Sequence, residues 1–262
     1  MELNKQLEII KKIFKLFMKV AILAGGKGTR LSELTKQIPK PMVKIGAKPI
    51  LVHIMSQYLK YGFKDFYILV GYKKDIIINY FKNFKKINIS FKFKIKNQNC
   101  NVTLIDSGKE TMTGGRLKKI EPYLKKNEQF LFTYGDGISN VNLKKLVNFH
   151  NKQKKMITVT AVRPPARFGE IVIRNNLVIS FKEKPQVGEG WINGGYFIAK
   201  KDFLKLIKGN KTILEKKPLE KVTHKKQLSV FKHFGFWKCM DTIRDKEVLE
   251  TIYKKNKFYH NY

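Results

Sequence analysis

Cysteine is scarce in this chain, which has only Cys100 and Cys239 among its 262 residues. The two form no CxxC pair and no secretory leader is recognisable, so a disulfide framework is excluded and a reducing, cytoplasmic location is expected. Long apolar runs are also missing, because none approaches the roughly 20 residues needed to cross a bilayer. We therefore expect no stable membrane insertion.

Acidic residues and arginine are scarce as well. Asp and Glu number 20 against 54 Lys and Arg, which gives a formal charge of +34. Such a charge favours nucleic-acid binding, but only six residues are arginine and no Arg-rich or aromatic-interleaved cluster occurs. Base readout relies mainly on the bidentate arginine fork. We expect no specific nucleic-acid partner, and a nucleic-acid-binding protein remains a hypothesis supported by charge alone.

A glycine-rich turn follows the first apolar run of the chain. Residues 20–24 (VAILA) lead directly into residues 25–30 (GGKGTR). Consecutive backbone N–H groups in such a turn can hold phosphate oxygens with help from a basic side chain. The spacing fits neither a Walker A loop nor a dinucleotide fingerprint, which would need glycine in place of Leu31. The alternative is a βα turn that uses glycine only for its geometry.

A lysine between two prolines comes shortly afterwards, in residues 39–43 (PKPMV). The prolines stiffen the segment and can aim the Lys40 ammonium at a phosphate, although a solvated surface lysine is the simpler interpretation. Together, GGxGTRL and PKPM resemble the sugar-phosphate nucleotidyltransferases. Six later segments are similar, in order and spacing, to the members of that family that act on CTP and glucose-1-phosphate: MTGGRLKKI (112–120), FLFTYGDGISN (130–140), PPARFG (164–169), FKEKP (181–185), WINGGYF (191–197) and GFWKCMDTIRDK (235–246).

Strand-like and helix-like patterns alternate through the first half of the chain, which predicts βαβ units and a mixed, mainly parallel sheet covered on both faces. The resemblance implies the same α/β architecture, a three-layer Rossmann-like nucleotidyltransferase fold. Because active sites of such folds lie at the carboxyl ends of the strands, Gly25 and Asp136 should meet at one edge. We predict strands at 20–23, 66–70, 89–95, 129–133 and 156–162, a hairpin of 170–174 and 177–181, and helices near 50–61 and 73–84.

Residues 1–17 lie outside the resemblance, because Met18 matches the usual family start. Apolar residues at helical spacing alternate there with lysines, which predicts a basic amphipathic extension. It could lie on a membrane surface, dock as a short helix, or reflect a start assigned too far upstream. We expect it to be an appendage to a single nucleotidyltransferase domain spanning 18–262.

Asp136 follows the predicted strand 129–133 and has glycine on both sides. Its hard carboxylate oxygens suit Mg²⁺, although an Asp-Gly turn is the simpler interpretation of this motif alone. The resemblance supplies a second aspartate, Asp241, and implies that Asp136 and Asp241 hold Mg²⁺. It also implies that glucose-1-phosphate attacks the α-phosphorus of CTP, giving CDP-glucose, a common precursor of surface polysaccharide such as O-antigen, and pyrophosphate. Arg30, Lys40 and Asp136 would be catalytic, and no general base is required because a phosphate oxygen is already ionised.

The resemblance further implies two sets of substrate-binding residues. Arg116 is expected to contact the nucleotide, with an ordinary surface arginine as the alternative. Without the family, the EKP segment would be interpreted as a charged turn. The nucleotide set comprises Leu23, Ala24, Gly25, Gly26, Lys27, Gly28, Thr29, Arg30, Lys40, Thr113, Arg116 and Asp136, and the sugar-phosphate set comprises Tyr134, Gly135, Glu183, Lys184, Asn193 and Gly194.

Three departures from the family pattern concern assembly more than chemistry. The segment from Phe93 to Asn101 is shorter than the pattern, Lys217 stands where an acidic residue is expected, and Ile38 where a lysine is expected. A homo-oligomer is expected, of unspecified size. Two further hypotheses remain open: thymidylyl or uridylyl transfer to the same sugar phosphate, and a non-catalytic regulator that binds a sugar nucleotide.

Overall fold

A computed structural model describes residues 18–81, 88, 90–164, 170–182 and 190–255. The predicted extension at 1–17 lies outside these residues. The helices are α1 (Ser32–Thr35), α2 (Ile50–Lys60), α3 (Lys74–Tyr80), α4 (Thr113–Lys118), α5 (Leu143–Gln153), α6 (Lys217–His224) and α7 (Ile243–Lys254). The strands are β1 (Lys19–Leu23), β2 (Lys44–Ile45), β3 (Lys48–Pro49), β4 (Asp65–Val70), β5 (Ser90–Ile95), β6 (Gln98–Asp106), β7 (Gln129–Tyr134), β8 (Gly137–Ser139), β9 (Ile157–Val162), β10 (Glu170–Arg174), β11 (Leu177–Lys182), β12 (Ile192–Lys200), β13 (Leu228–His233) and β14 (Trp237–Cys239).

Eight strands form the central sheet in the order β13-β9-β12-β7-β1-β4-β6-β5. β1 pairs in parallel with both β4 and β7, β4 with β6, and β13 with β9. β12 is antiparallel to β7 and β9, and β5 is antiparallel to β6. Because only β12 and β5 run against the others, the sheet is mixed and mainly parallel, and this prediction is confirmed.

β1 explains why the sheet is covered on both faces. Its side chains alternate, so Val20 and Ile22 join one buried apolar cluster while Ala21 and Leu23 join another. Helices α2, α5 and α7 cover the first face, and α4 and α6 cover the second. A strand buried on both faces has to be apolar throughout, as the run VAIL is. The resulting three layers are the predicted architecture.

The hairpin of β10 and β11 is also confirmed, together with its turn. Asn175 and Asn176 both have positive φ, 46° and 61°, which is the requirement of the two-residue turn that matches strand twist. The predicted helix at 73–84 is present as α3, from Lys74 to Tyr80; residues 82–87 lie outside the described part.

Two long strands escaped the sequence patterns, β6 and β12. β6 begins with the polar residues QNCN, which conceal the apolar stretch that follows. β5 and β6 are joined by a tight turn in which Lys96 has φ 53°. This turn accounts for the short segment between Phe93 and Asn101. Among the described residues, no helix has the length and apolar character needed to span a membrane.

Candidate active site

Four neighbouring parallel strands end at the same edge of the sheet. β1, β4, β6 and β7 end there, and hydrogen bonds join the loops that follow them. Ala24 N–H donates to the Leu69 carbonyl over 3.0 Å, and Gly135 N–H donates to the Leu23 carbonyl over 3.1 Å. The glycine turn after β1 and the Asp136 loop after β7 therefore lie side by side, at the edge where ligands bind in such sheets.

The glycine turn depends on glycine at two positions. Gly28 has φ +65° and begins the 3-10 turn Thr29–Leu31. Gly25 is buried, and a Cβ there would lie 1.8 Å from the Arg116 guanidinium and 2.7 Å from the Gly71 nitrogen. Gly26, Lys27, Thr29 and Arg30 are exposed. The first residue of the turn is thus fixed by close packing, while most of the residues after it are accessible to a ligand.

Lys40 joins the two aspartates that the sequence placed far apart. Its Nζ lies 2.7 Å from Asp136 Oδ2 and 2.6 Å from Asp241 Oδ1. Arg30 Nη1 lies 2.6 Å from the other Asp241 oxygen, Oδ2. The Lys40 side chain is 10% exposed and that of Arg30 75%. Two carboxylates and two cations therefore form one cluster that opens to solvent on the Arg30 side.

A short two-stranded sheet brings Asp241 to Asp136. β8 pairs in antiparallel fashion with β14, placing Cys239 opposite Gly137, and the Met240 N–H donates to the Asp136 carbonyl over 2.9 Å. Asp245, in the first turn of α7, accepts from the Asp241 N–H over 3.0 Å. The main chain on either side of Asp241 is thus fixed.

Burial by itself would lower the pKa of the Lys40 ammonium, but Asp136 and Asp241 raise it by more. The net pKa is raised, so Lys40 stays protonated at neutral pH and cannot serve as a base. Burial, with Asp241 and Asp136 nearby, raises the pKa of the Cys239 thiol to about 12. Cys239 is therefore a thiol rather than a thiolate nucleophile.

The donor set at Asp136 and Asp241 fits a magnesium ion. Both groups offer hard carboxylate oxygens, and both already face a common cation, the Lys40 ammonium. Within the described ranges, no group of three or more His, Cys, Asp or Glu residues could hold a metal. Mg²⁺ is usually bound through one or two carboxylates, with water and substrate phosphates completing its shell. Two aspartates therefore suffice for this kind of site.

Arg116 is buried, which contradicts the alternative of an ordinary surface arginine. Its guanidinium donates to the Val70 carbonyl over 3.3 Å, the Gly108 carbonyl over 3.2 Å and the Thr111 carbonyl over 2.7 Å, and it also bonds the Ser107 hydroxyl. These contacts join the end of β4 to the loop after β6, and the guanidinium packs closely against Gly25 in the glycine turn. A cavity of about 420 Å³ adjoins them, lined in part by Gly71, Lys74, Asp106, Gly108 and Lys109.

The predicted sugar-side residues lie next to one another. Asn193 Nδ2 donates to the Tyr134 hydroxyl over 3.3 Å, and the Gly194 carbonyl accepts from the Trp237 indole over 2.7 Å. A Cβ at Gly135 would lie 2.9 Å from Pro41 Cγ, so the loop packs directly on the PKP segment. Glu183 and Lys184 lie outside the described residues, and their assignment stays a prediction.

Two residues of the site were missed from the sequence. Glu215 accepts hydrogen bonds from Thr113 Oγ1 over 2.6 Å and from the Tyr134 hydroxyl over 2.5 Å. Its surroundings, LEKK, carry no recognisable signal. Asp245 could have been found, because Thr242 and Asp245 form the capping-box spacing at the start of α7.

Most of the chain is similar to known proteins. Residues 19–241 match the family model described as Nucleotidyl transferase. The chain is 45% identical over 250 residues to a glucose-1-phosphate cytidylyltransferase of Salmonella typhimurium, covering 92% of this chain and 97% of that protein. It is 37% identical over 238 residues to a probable glucose-1-phosphate cytidylyltransferase of Bacillus subtilis, covering 87% and 93%.

Solved structures agree on the fold. The crystal structure of HddC from Yersinia pseudotuberculosis has a TM-score of 0.69 and 26% identity, and the match covers 90% of this chain and 100% of that one. A UDP-glucose pyrophosphorylase complexed with UDP-glucose has a TM-score of 0.68 at 17% identity, with coverage of 92% and 99%. The resemblance seen in GGKGTR and PKPM is thereby confirmed. The chain belongs to the nucleotidyl transferase family, within the group that contains the glucose-1-phosphate cytidylyltransferases.

Proposed function

We propose that this protein transfers CMP from CTP to glucose-1-phosphate, producing CDP-glucose and pyrophosphate. One observation carries the chemistry: Lys40 lies between Asp136 and Asp241 at the strand edge beside the glycine turn. The 45% identity to a glucose-1-phosphate cytidylyltransferase supports the choice of base and sugar.

The reaction requires two anions to be held in line. An oxygen of the sugar phosphate forms a bond to the α-phosphorus of CTP, while the bond from that phosphorus to the pyrophosphate oxygen breaks. No proton has to move, because the attacking oxygen is already ionised. Such transfer depends on positioning and on neutralising charge. The exposed residues of the glycine turn, Gly26, Lys27, Thr29 and Arg30, would supply N–H groups and two cations for the triphosphate.

Charge neutralisation is the task of Lys40 and Arg30. The raised pKa of Lys40 keeps it a fixed cation at the end of β1 and β7. Arg30 is mostly exposed, and within the described part of the chain its side chain bonds Asp241 alone, so it can swing toward the departing pyrophosphate. Fixed charges aimed at the transition state stabilise it at no cost in solvent reorganisation.

Asp136 and Asp241 are the residues that would hold Mg²⁺. When bound, the ion would act as a Lewis acid and neutralise charge on the phosphate oxygens. Tyr134, Asn193 and Gly194 would bind the hexose, with Glu183 and Lys184 added from the family pattern. A homo-oligomer and a cytoplasmic location are further parts of the proposal.

The test is pyrophosphate release with CTP, dTTP, UTP, GTP and ATP in turn, with and without glucose-1-phosphate. We expect release that requires both Mg²⁺ and the sugar phosphate and is fastest with CTP. Equal or faster turnover with dTTP or UTP would show another base specificity. If no nucleotide is turned over but a sugar nucleotide binds, the protein is a non-catalytic regulator.

A further inference from the structure

Glu215 lies in a cleft between α4, which forms the nucleotide-side wall, and Tyr134 with Asn193, which form the sugar-side wall. It belongs to the loop between β12 and α6, and that loop docks on the first turn of α4 through main-chain bonds. Met112 N–H donates to the Asn210 carbonyl over 2.8 Å, and the N–H groups of Gly114 and Gly115 donate to the Thr212 carbonyl over 3.0 and 3.1 Å. The loop is therefore anchored to the nucleotide-side wall independently of the Glu215 side chain.

The Glu215 carboxylate links this anchored loop to Tyr134 on the sugar-side wall. Thr113 Oγ1 donates to one oxygen over 2.6 Å while itself accepting from the Leu214 N–H over 2.9 Å. Tyr134 donates its hydroxyl to the other oxygen over 2.5 Å. Hydrogen bonds to an ionised acceptor are shorter and stronger than neutral ones. One exposed carboxylate thus orders a hydroxyl on each wall.

The orientation of the Tyr134 hydroxyl follows from this contact. Its only proton points to Glu215, so its lone pairs face Asn193, which donates over 3.3 Å. Burial, with the Glu215 charge adding to it, raises the pKa of Tyr134, and the phenol stays protonated. The Tyr134 ring also packs closely against the main chain at Gly195, where an added Cβ would lie 2.8 Å from Tyr134 Cδ2.

We infer that Glu215 is a positioning residue: it holds the Tyr134 hydroxyl in the orientation that presents its lone pairs to the hexose hydroxyls of glucose-1-phosphate, and it links that side of the cleft to α4. This rests on the proposed function and deepens it. Loss of the carboxylate leaves α4 held by the Asn210 and Thr212 carbonyls but leaves Tyr134 without its acceptor. The defect should therefore fall on the sugar phosphate rather than on CTP.

The variants are Glu215→Ala and Glu215→Gln, with Glu220→Ala as the matched control. Glu220 is an exposed carboxylate on α6 that accepts no hydrogen bond within the described part of the chain. In Glu215→Ala the KM for glucose-1-phosphate should rise about tenfold, the value of one charge-assisted hydrogen bond, while the KM for CTP changes less than about twofold. Gln retains one acceptor and should show a smaller rise. Glu220→Ala should match the wild type.

A double-mutant cycle separates positioning from a general structural role. If Glu215 acts through Tyr134, then Tyr134→Phe combined with Glu215→Ala should have the same KM for glucose-1-phosphate as Tyr134→Phe alone. Additive effects, or an equal rise in the KM for CTP, would overturn the inference.

A measurement without turnover distinguishes this inference from the proposed function. With ¹³C-labelled tyrosine, the Tyr134 resonance, identified by its loss in Tyr134→Phe, should shift in Glu215→Ala and stay unchanged in Glu220→Ala. An unchanged resonance in Glu215→Ala would refute the contact even if CDP-glucose is formed. If the resonance shifts in Glu215→Ala but the wild-type protein forms no CDP-glucose, the proposed reaction is refuted and the contact stands.

Discussion

Asp136 and Asp241 bind the same ammonium group, with Lys40 Nζ 2.7 Å from one carboxylate and 2.6 Å from the other. Because each carboxylate is a neighbour of the other, the lysine also offsets their mutual repulsion. The three side chains are thus one electrostatic unit centred on the Lys40 ammonium. Changing any one of the three groups alters the charge that the other two experience.

Replacing either carboxylate tests this cluster most directly. Asp136→Asn and Asp241→Asn should leave the fold intact and lower turnover at least about 100-fold, given the several kcal/mol that a catalytic metal supplies. Steady-state rates across a Mg²⁺ titration and thermal melts would measure both effects. Asp202→Asn is the control, since Asp202 pairs with Lys205 far from the site. It follows Lys200 of β12, which lies opposite Gln129 at the start of β7, whereas Asp136 follows the end of β7. Near-normal turnover of Asp241→Asn at saturating Mg²⁺ would contradict the assigned ligand.

Replacing the lysine removes both the cation and its contacts to the two carboxylates. Lys40→Ala should lower turnover about as much as the aspartate variants, because both the cation and the brace between the carboxylates are lost. The raised pKa means that charge at Lys40 is present below pH 10.5 and is lost only above it. The activity of the wild type should therefore show no loss attributable to Lys40 between pH 7 and 10. A Lys40→Ala enzyme with wild-type turnover would remove Lys40 from the mechanism.

The sequence predicts the local parts of this site but not the distant ones. The apolar run ending at Leu23 and the glycines after it define a strand and a turn from neighbouring residues alone. By contrast, Asp241 reaches Asp136 only because β14 pairs with β8, and three-residue strands leave little periodic signal. Only the family resemblance brought Asp241 together with Asp136.

Arg116 and Glu215 illustrate a second limit. Arg116 belongs to a recognisable motif, yet its burial and four acceptors follow from how the loops after β4 and β6 fold around it. Glu215 is one exposed acid in a lysine-rich segment, and only the docking of its loop on α4 reveals its two donors. Side-chain partners contributed by long-range packing cannot be deduced from spacing.

His150 should make stability fall in mild acid. It is buried on α5, with Nδ1 2.7 Å from Thr158 Oγ1, and burial lowers its pKa from 6.5 to about 4. Because the folded state disfavours protonation of His150, the contribution of the neutral imidazole to the free energy of unfolding is fully present above pH 6.5. It is lost as pH falls toward 4, by up to about 3 kcal/mol. Thermal melts of the wild type and His150→Gln from pH 7.5 to 4.5 would measure this.

The test compares how steeply stability falls with pH in the wild type and in His150→Gln. His53 and His233 also have pKa values lowered by burial, so part of the acid sensitivity should persist in His150→Gln. The variant should nevertheless lose less stability than the wild type between pH 6.5 and 4.5. Parallel curves for the two proteins would assign the effect to other groups.

Deletion of residues 1–17 tests the predicted domain boundary. Met18 is buried, and Lys19 begins β1 opposite Asp65 and pairs with Glu128 over 2.7 Å, so the first strand has its own anchors. A chain beginning at Met18 should therefore fold and turn over CTP like the full chain. If the extension docks instead, the four apolar side chains at helical spacing, Ile10, Ile13, Phe14 and Phe17, would each contribute about 1.5–3 kcal/mol before ordering costs, and deletion would lower the melting temperature clearly. Melts, rates and binding to anionic vesicles for both chains distinguish the cases, and a large loss of stability or activity on deletion would refute the appendage.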